Sequence, residues 1–362
     1  MPNSIPVDDD LYLSVGNQLV SGWTDIRVTR GIERCPSDFE IGLTERSPEQ
    51  LSDIVVRAGA PVQVSLGRDL VITGYVDEFI PSFAPEEHAI RVTGRGKCQD
   101  LVDCSAVWPN GQISGTSAVD IATKLASHYG IKVNCDVTDL VTIPQFNIFI
   151  GETSFEVIER VSRYSQLLVY DQPDGNLRLA QAEKQATAAG GLAEGFNVQA
   201  ASIRNSAHER FSRYKAFAQT VATFGDAGVG PSMIASVTDD EVNRVRERYI
   251  VAEAVQGFAD IAKRRTIWEM HRRIGRSHVV TIVTDSWRDA DGVLWEPNTL
   301  VNISLPHLGL QNETWLIGEV TYRRTIESGT TAELTIMDPR AFEPEPIALQ
   351  PTFVDGAVFG TR

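Results

Sequence analysis

Apolar and polar residues alternate on both sides of a short turn in Pro61–Asp77, PVQVSLGRDLVITGYVD. Val62, Val64 and Leu66 precede Gly67-Arg68-Asp69, and Leu70, Ile72 and Tyr75 follow it. Period-two alternation around a Gly-containing turn predicts a β-hairpin with one buried face. A second stretch, Leu300–Tyr322 (LVNISLPHLGLQNETWLIGEVTY), repeats the phrase: VNISL matches VQVSL, and WLIGEVT matches LVITGYV. Each copy leads into another alternating strand, His88–Thr93 after the first and Thr331–Met337 after the second. The chain therefore reads as a degenerate duplication of one small β module, its copies separated by a long insertion. The expectation that follows is specific. Gln63, Ser65 and Thr73 should hold places equivalent to Asn302, Ser304 and Glu319.

Around the first copy, Asp10–Gln18 and Trp23–Arg30 are short alternating segments with a turn at Gly22, and Asp38–Thr44 makes a third strand. Ser47-Pro48 and the acidic stretch after it read as a loop. Character changes at the turn-rich Trp108-Pro109-Asn110-Gly111. Ser117–Asp120 then fits a capping box, and Val119, Ala122, Leu125, Ala126 and Tyr129 recur at helical spacing up to Gly130. Ile131–Asp136 is a short strand. Thr153–Glu156 offers a second capping box, opening a helix whose apolar face is Phe155, Ile158 and Val161. Leu167–Tyr170 and Leu177–Ala180 flank Pro173-Asp174-Gly175-Asn176, a hairpin signal. Ser105–Ala182 is thus a small α+β unit between the two β modules.

Lys184–Gly195, rich in Ala and Gly, reads as a mobile connection, and the alternation of Arg213–Phe224 places it at the start of the second β module. Gly225–Pro231 is a loop, Tyr249–Val251 a short strand, and Gln256–Ile274 a helix ended by Gly275. Val279–Asp285 resumes the strand pattern. Pro344–Arg362, with three prolines and no periodicity, reads as an extended arm.

Length and charge narrow the function. A chain of 362 residues suggests about two to four domains. Its net charge of −15, from 33 basic and 48 acidic residues, argues against a general nucleic-acid-binding surface, because phosphate affinity comes mainly from Lys and Arg. An acidic wall is still compatible with a conduit past which DNA slides without sticking. No apolar run reaches the roughly 18 residues of a membrane span, and MPNSIPVDDD is too polar and acidic for a standard export signal. Cys35, Cys98, Cys104 and Cys135 have neither CxxC spacing nor a nearby His, which suits free thiols in a reducing compartment.

Candidate chemistry fails motif by motif. Gly94-Arg95-Gly96-Lys97 has Val92 and Cys98 where a phosphate loop needs Gly and Ser or Thr, so a β-turn is the better reading. Asp289–Gly292 (DADG) lacks the ligand spacing of a calcium loop and reads as a hairpin turn before Leu294-Trp295. Lys263, Arg264, Arg265, Arg272, Arg273 and Arg276 form the one basic run, read first as a solvated helix face, then as subunit ion pairing, and least as DNA contact. The six histidines are scattered, and no GxSxG occurs. Trp287 and Trp295 bracket the DADG turn, where packing is the commoner role than a sugar platform. No catalytic, cofactor-binding or metal-binding residue is assigned, and no cofactor is called for.

The ordered phrases carry a resemblance. SGWTDIRVTRGIERCPSDFEI (Ser21–Ile41), ITGYVDEF (Ile72–Phe79), VTGRGKCQDLVDCSAV (Val92–Val107), GETSFEVIERVSRYSQLLVYDQPDGNLRL (Gly151–Leu179), RRTIWEMHRRIGRS (Arg264–Ser277) and DGVLWEPNTLVNI (Asp291–Ile303) span nearly the whole chain. Together the chain resembles the baseplate hub proteins of contractile-tailed phages of the Mu type. More distantly it is similar to the T-even phage hub and to the base of type VI secretion spikes. The resemblance implies a mainly β, α+β fold: two related β-barrel (tube) domains, an inserted small α+β domain and a helical segment, set in a hub-like ring. On that reading residues 1–104 form the first barrel, 105–183 the inserted domain, and 184–224 with 277–343 the second barrel; 225–276 are a helical and loop insertion and 344–362 the extended arm. It implies a homotrimeric structural protein of the virion tail baseplate, assembled in the host bacterial cytoplasm, and no enzyme. Its expected partners are a central spike protein below, tail tube and tape-measure proteins above, and baseplate wedge proteins. DNA would pass through its channel without specific binding, and no membrane insertion is implied. A tail-associated cell-wall or glycan hydrolase, or a carbohydrate-binding tail protein, is the alternative.

Overall fold

The first β module forms where the alternation predicts it. In the computed structural model, which describes residues 9–45, 56–84, 87–108, 111–182, 186–218, 232–252 and 258–347, it comprises β1 (Leu11–Val15), β2 (Gln18–Val20), β3 (Asp25–Gly31), β4 (Asp38–Glu45), β5 (Pro61–Leu66), β6 (Asp69–Ala84) and β7 (Glu87–Gly96). The hairpin of β5 and β6 turns at Gly67, whose φ of 61° is left-handed and suits glycine. The expected loop at Ser47-Pro48 lies outside the described residues.

The α+β unit follows: α1 (Gln99–Asp103), β8 (Gln112–Thr116), α2 (Ala118–Ser127), β9 (Val133–Cys135), β10 (Ile143–Asn147), α3 (Ser154–Tyr164), β11 (Leu168–Asp171) and β12 (Leu177–Ala180). Both capping boxes form in full, Ser117 with Asp120 and Thr153 with Glu156, so two backbone donors at each helix start are satisfied. Their apolar faces, Ile121, Ala122 and Leu125 with Val157, Ile158 and Val161, close a core of their own. Phe155, expected on that face, is only partly buried, and Val157 takes the central place. The Pro173–Asn176 hairpin joins β11 to β12 as predicted.

After this unit come β13 (Leu192–Ala193), β14 (Val198–Asn205), β15 (Arg213–Ala218), β16 (Ser232–Thr238), β17 (Glu247–Ala252), α4 (Phe258–Ser277), β18 (His278–Thr284), β19 (Thr299–Leu305), β20 (Leu310–Thr325) and β21 (Gly329–Met337). Three expectations change here. Part of the segment expected to be mobile is docked: Ala188 N donates to Leu300 O, Leu300 N to Ala186 O, Glu194 N to Ser304 O, and Leu192 is buried. Arg213–Ala218 is a strand, but it pairs with β16 and β17 in a separate three-stranded sheet under α4. Gly275 does not end α4; it lies inside the helix, where an added Cβ would come within 2.5 Å of Ala341 N. Close packing against the chain after β21 requires glycine there. The loop expected at Gly225–Pro231 and most of the expected arm lie outside the described residues.

The duplication is a topological fact. The first module runs β3-β4-β7-β6-β5 and the second β14-β18-β21-β20-β19, the same order with the same chain connectivity. Even the irregularities repeat. Each long strand shifts register against its following neighbour once, between Val76 and Glu78 in β6 and between Ile317 and Glu319 in β20. A β-bulge at the same place in both copies is a built feature of the module.

The ladders also correct the sequence alignment. Val62 faces Gly74 and Val301 faces Trp315, so Gly74 corresponds to Trp315, not to Gly318. Gln63 and Ser65 do correspond to Asn302 and Ser304. Thr73, facing Gln63, corresponds to Thr314, which faces Asn302 and donates to its Oδ1 at 2.7 Å; Glu319 corresponds to Glu78. The glycines misled the alignment because Gly318 sits at its bulge while Gly74 lies three residues before the corresponding one.

The two modules join edge to edge through β3 and β20, giving a sheet ordered β14-β18-β21-β20-β3-β4-β7-β6-β5-β1-β2, with β19 beside β20 and β13 beside β19. Their apolar faces share one core, including Val28, Phe39, Val64 and Val92 from the first and Val280, Ile303, Val320 and Leu334 from the second.

Candidate assembly interface

The junction between the modules shows what this fold does with a strand edge. β20 is twice as long as its partner β19 needs: its first half pairs with β19, and its second half pairs antiparallel with β3, from Glu319 facing Gly31 to Arg324 facing Ile26. The Ile32 N–Gly318 O bond of 2.9 Å fixes the phase of this ladder. In an antiparallel pair hydrogen-bonded and open positions alternate, so Val320, Tyr322 and Arg324 exchange bonds with Arg30, Val28 and Ile26. Thr29 and Thr321 meet across the junction, their hydroxyls 3.2 Å apart and buried. Arg34 spans it at one end, bonding Glu319 and Asp38. Val320 and Tyr322 are both 0% exposed. Tyr322 donates its phenol to Trp295 O, and burial pushes that phenol up to about 12.

Among the described residues no strand covers the corresponding half of β6. It pairs with β7 on one side only, and its apolar side chains stand in solvent: Ile80 is 42% and Phe83 86% exposed. Among the described residues β14 forms a ladder with β18 alone; beyond that it has an isolated bridge from Val198, at its start, to Glu194.

The basic run resolves into a clamp within the chain. Arg272 and Arg276 of α4 both reach Glu33, in the short link between β3 and β4, and both donate to Ala341 O. Arg265 pairs with Glu345, and Arg273 with Glu269 and Glu209. Trp268 Nε1 donates to Glu343 O at 2.6 Å. Arg265, Arg272, Arg273 and Arg276 are thus engaged by their own chain, whereas Lys263 and Arg264 are exposed, as expected of a solvated face.

The remaining motifs have structural roles. Gly94 and Gly96 lie in β7, and the turn comes after them at Lys97-Cys98. A Cβ at Gly94 would stand 2.3 Å from Tyr75 O, and one at Gly96 2.4 Å from Asp171 Oδ2. Asp171 is buried against the first module, where it accepts from Ser37 N and Oγ; burial raises its carboxyl all the same. Trp287 and Trp295 are buried and donate to Arg323 O and Ser286 O, so neither offers a sugar platform. The DADG turn closes on Asp289, whose carboxylate accepts from Asp291 N, Val293 N and Ala189 N. Among the described residues no three His, Cys, Asp or Glu side chains gather as metal ligands, and the four cysteines are unpaired. Cys98 beside it, together with burial, pushes the Cys35 thiol well up.

Comparison with known proteins places this architecture. Residues 10–96 match the family described as Mu phage baseplate assembly protein GpP-like, N-terminal; residues 98–181 match the baseplate hub protein gp44-like second domain, and residues 259–345 the GpP fourth domain. The baseplate hub protein gp44 of Escherichia phage Mu is 29% identical over 344 residues, covering 93% of this chain and 89% of that protein. The crystal structure of a 43 kDa tail protein from prophage MuSo2 of Shewanella oneidensis is 31% identical, with a TM-score of 0.82 over 92% of this chain and 99% of that one. An Escherichia coli component of the type VI secretion system shares the fold at 12% identity, with a TM-score of 0.58 over 94% of this chain and 80% of that one. Duplicated modules joined at their strand edges, with these relatives, define a structural component of the phage tail. The chain belongs to the Mu-type baseplate hub family.

Proposed function

We propose that the protein is the trimeric hub of a contractile tail baseplate, a ring that joins the central spike to the tail tube. The observation that carries this reading is the edge-to-edge junction of two modules of identical strand order. A chain that presents the same module twice lets three copies supply six near-equivalent positions, which is how a threefold spike meets a sixfold tube without six separate chains. The spike below, tube and tape-measure proteins above and wedge proteins at the rim are its partners, and assembly takes place in the host bacterial cytoplasm. The net charge of −15 suits a ring through which DNA passes without adhering. The role is structural: Trp287 and Trp295 are packed inside the second module, and Asp171 and Asp239 are held by Ser37 and Arg210. Sedimentation and native mass spectrometry at micromolar concentration test the reading. A trimer, imaged as a ring with six lobes around a hole, is expected; a stable monomer overturns it.

A further inference from the structure

We infer that β14 of one protomer pairs with the open half of β6 of the next, repeating between chains the β3–β20 junction within each chain. The inference rests on the trimeric reading above and names its interface. In the module's own numbering, β14 is the copy of β3, and β6 is the copy of β20. Within the chain, the first module offers β3 and the second accepts it along the outer half of β20. Among the described residues, what has no partner strand is the reciprocal pair, β14 of the second module from Ala200 on and the outer half of β6 of the first. A head-to-tail contact of this kind generates a ring when its rotation closes. Six equivalent junctions, three within chains and three between, close it here.

Register follows from the copies. Carrying the β3–β20 ladder over sets Phe79 opposite Asn205, Pro81 opposite Ile203, Ser82 opposite Ser202 and Phe83 opposite Ala201. The hydrogen-bond phase agrees. Lys97 N donates to Thr73 O, which directs Thr73, and after the bulge Glu78, Ile80 and Ser82, toward β7. Phe79, Pro81 and Phe83 therefore direct their backbone groups to the open side, the only orientation a strand proline tolerates. Ser206 N donates to Ser277 O, so Ser206, Arg204 and Ser202 bond β18 while Ala201 and Ile203 direct their backbone groups to the open edge. Pro81 lacks the N–H that Tyr322 gives Val28, but its carbonyl accepts from Ile203. The contact covers Ile80 and Phe83, the two exposed apolar side chains of that half-strand.

Ser82 and Ser202 fall at an open, non-hydrogen-bonded position, the counterpart of Arg323 facing Arg27. Cα atoms at such a position lie about 4.5 Å apart, within disulfide reach. The test is the full chain carrying Ser82→Cys and Ser202→Cys, oxidised mildly and run on a non-reducing gel. Covalent trimer is expected, with neither single variant linking and with Ser82→Cys plus Arg204→Cys, two residues out of register, linking at least tenfold less. A protein that is trimeric by native mass spectrometry yet does not link at 82 and 202 overturns this interface and leaves the ring standing. Linked dimer without trimer also overturns it. A monomer that does not link overturns both.

Discussion

The outer halves of β6 and β20 are one strand in two situations. In β20, β3 lies along the strand, and Val320 and Tyr322 are wholly buried; in β6 the same positions are Phe79 and Pro81, at an open edge. The sequences differ as the covering does. A half-strand covered from within its own chain carries an N–H at every step and a buried tyrosine. One that the described chain leaves open carries Pro81, which lowers its capacity for indiscriminate pairing. Duplication kept the bulge and the strand order, and divergence acted on the edge.

Proline at two corresponding positions breaks this comparison most sharply. Ile26 and Ala201 are copies, and both direct their N–H away from the following strand of their module. Ile26→Pro removes a bond to Arg324 inside the chain and a buried side chain, where shrinking a core Ile alone costs about 2–5 kcal/mol; a chain that fails to fold is expected. Ala201→Pro falls on an edge, so thermal unfolding of the isolated protomer should barely change while the sedimenting trimer is lost. Equal damage at both sites would mean that β14 is not an edge awaiting a partner.

The strands against β4 and β18 give the next contrast. Gly94, facing Phe39, corresponds to Ile336, facing Val280. The first module brings Tyr75 O to within 2.3 Å of where a Cβ at 94 would stand. Gly94→Ala should therefore cost at least the roughly 1–3 kcal/mol of overpacking, read as a lowered denaturant midpoint, although the other copy carries isoleucine there.

A smaller effect is expected at the links between the first and second strands of each module. In the first module the link is short and carries Glu33; in the second it is long and includes α4, whose Arg272 and Arg276 grip Glu33. These groups are partly exposed, so Glu33→Ala should cost about 1 kcal/mol, and less at high salt.

How much of this was legible in the sequence depends on what each element had to show. The β5–β6 hairpin, both capping boxes and the Pro173–Asn176 turn were legible because alternation, Ser or Thr with an acid three residues on, and turn residues are local signals. β14, VQAASIRN, was not, because an edge strand with Ala201 and Ile203 as its inward residues has hardly any alternation to display. The register of the second copy was misread because glycine marks a bulge only to within a few residues. The clamp on Glu33 was out of reach, since nothing local ties residue 33 to residues 272 and 276. The interface suffered most: the open edge of β6 differs from the covered edge of β20 only by comparison of the two ladders.

The last contrast lies where the copies of the module end. β7 ends at Gly96, against which Asp171 is buried; the corresponding residue after β21 is Asp338. The two carboxyls shift in opposite directions. Burial outweighs the Ser37 bonds at Asp171 and raises it. At Asp338 burial opposes, but the Arg340 side chain, its N–H and its charge together prevail and lower it. A raised native value means that the folded state holds the proton more tightly, so the stability Asp171 contributes is present in acid. It is lost as pH rises from the ordinary carboxylate value of about 4 through the native one. A lowered native value gives Asp338 a contribution present above the ordinary value and lost as pH falls through the native one. Denaturant midpoints followed across pH should therefore separate the two. Asp171→Asn should flatten the decline on raising pH, and Asp338→Asn the decline on acidification. If both substitutions flattened the same limb, the sheet ends would share one electrostatic environment, and the divergence of the two copies would stop short of their ends.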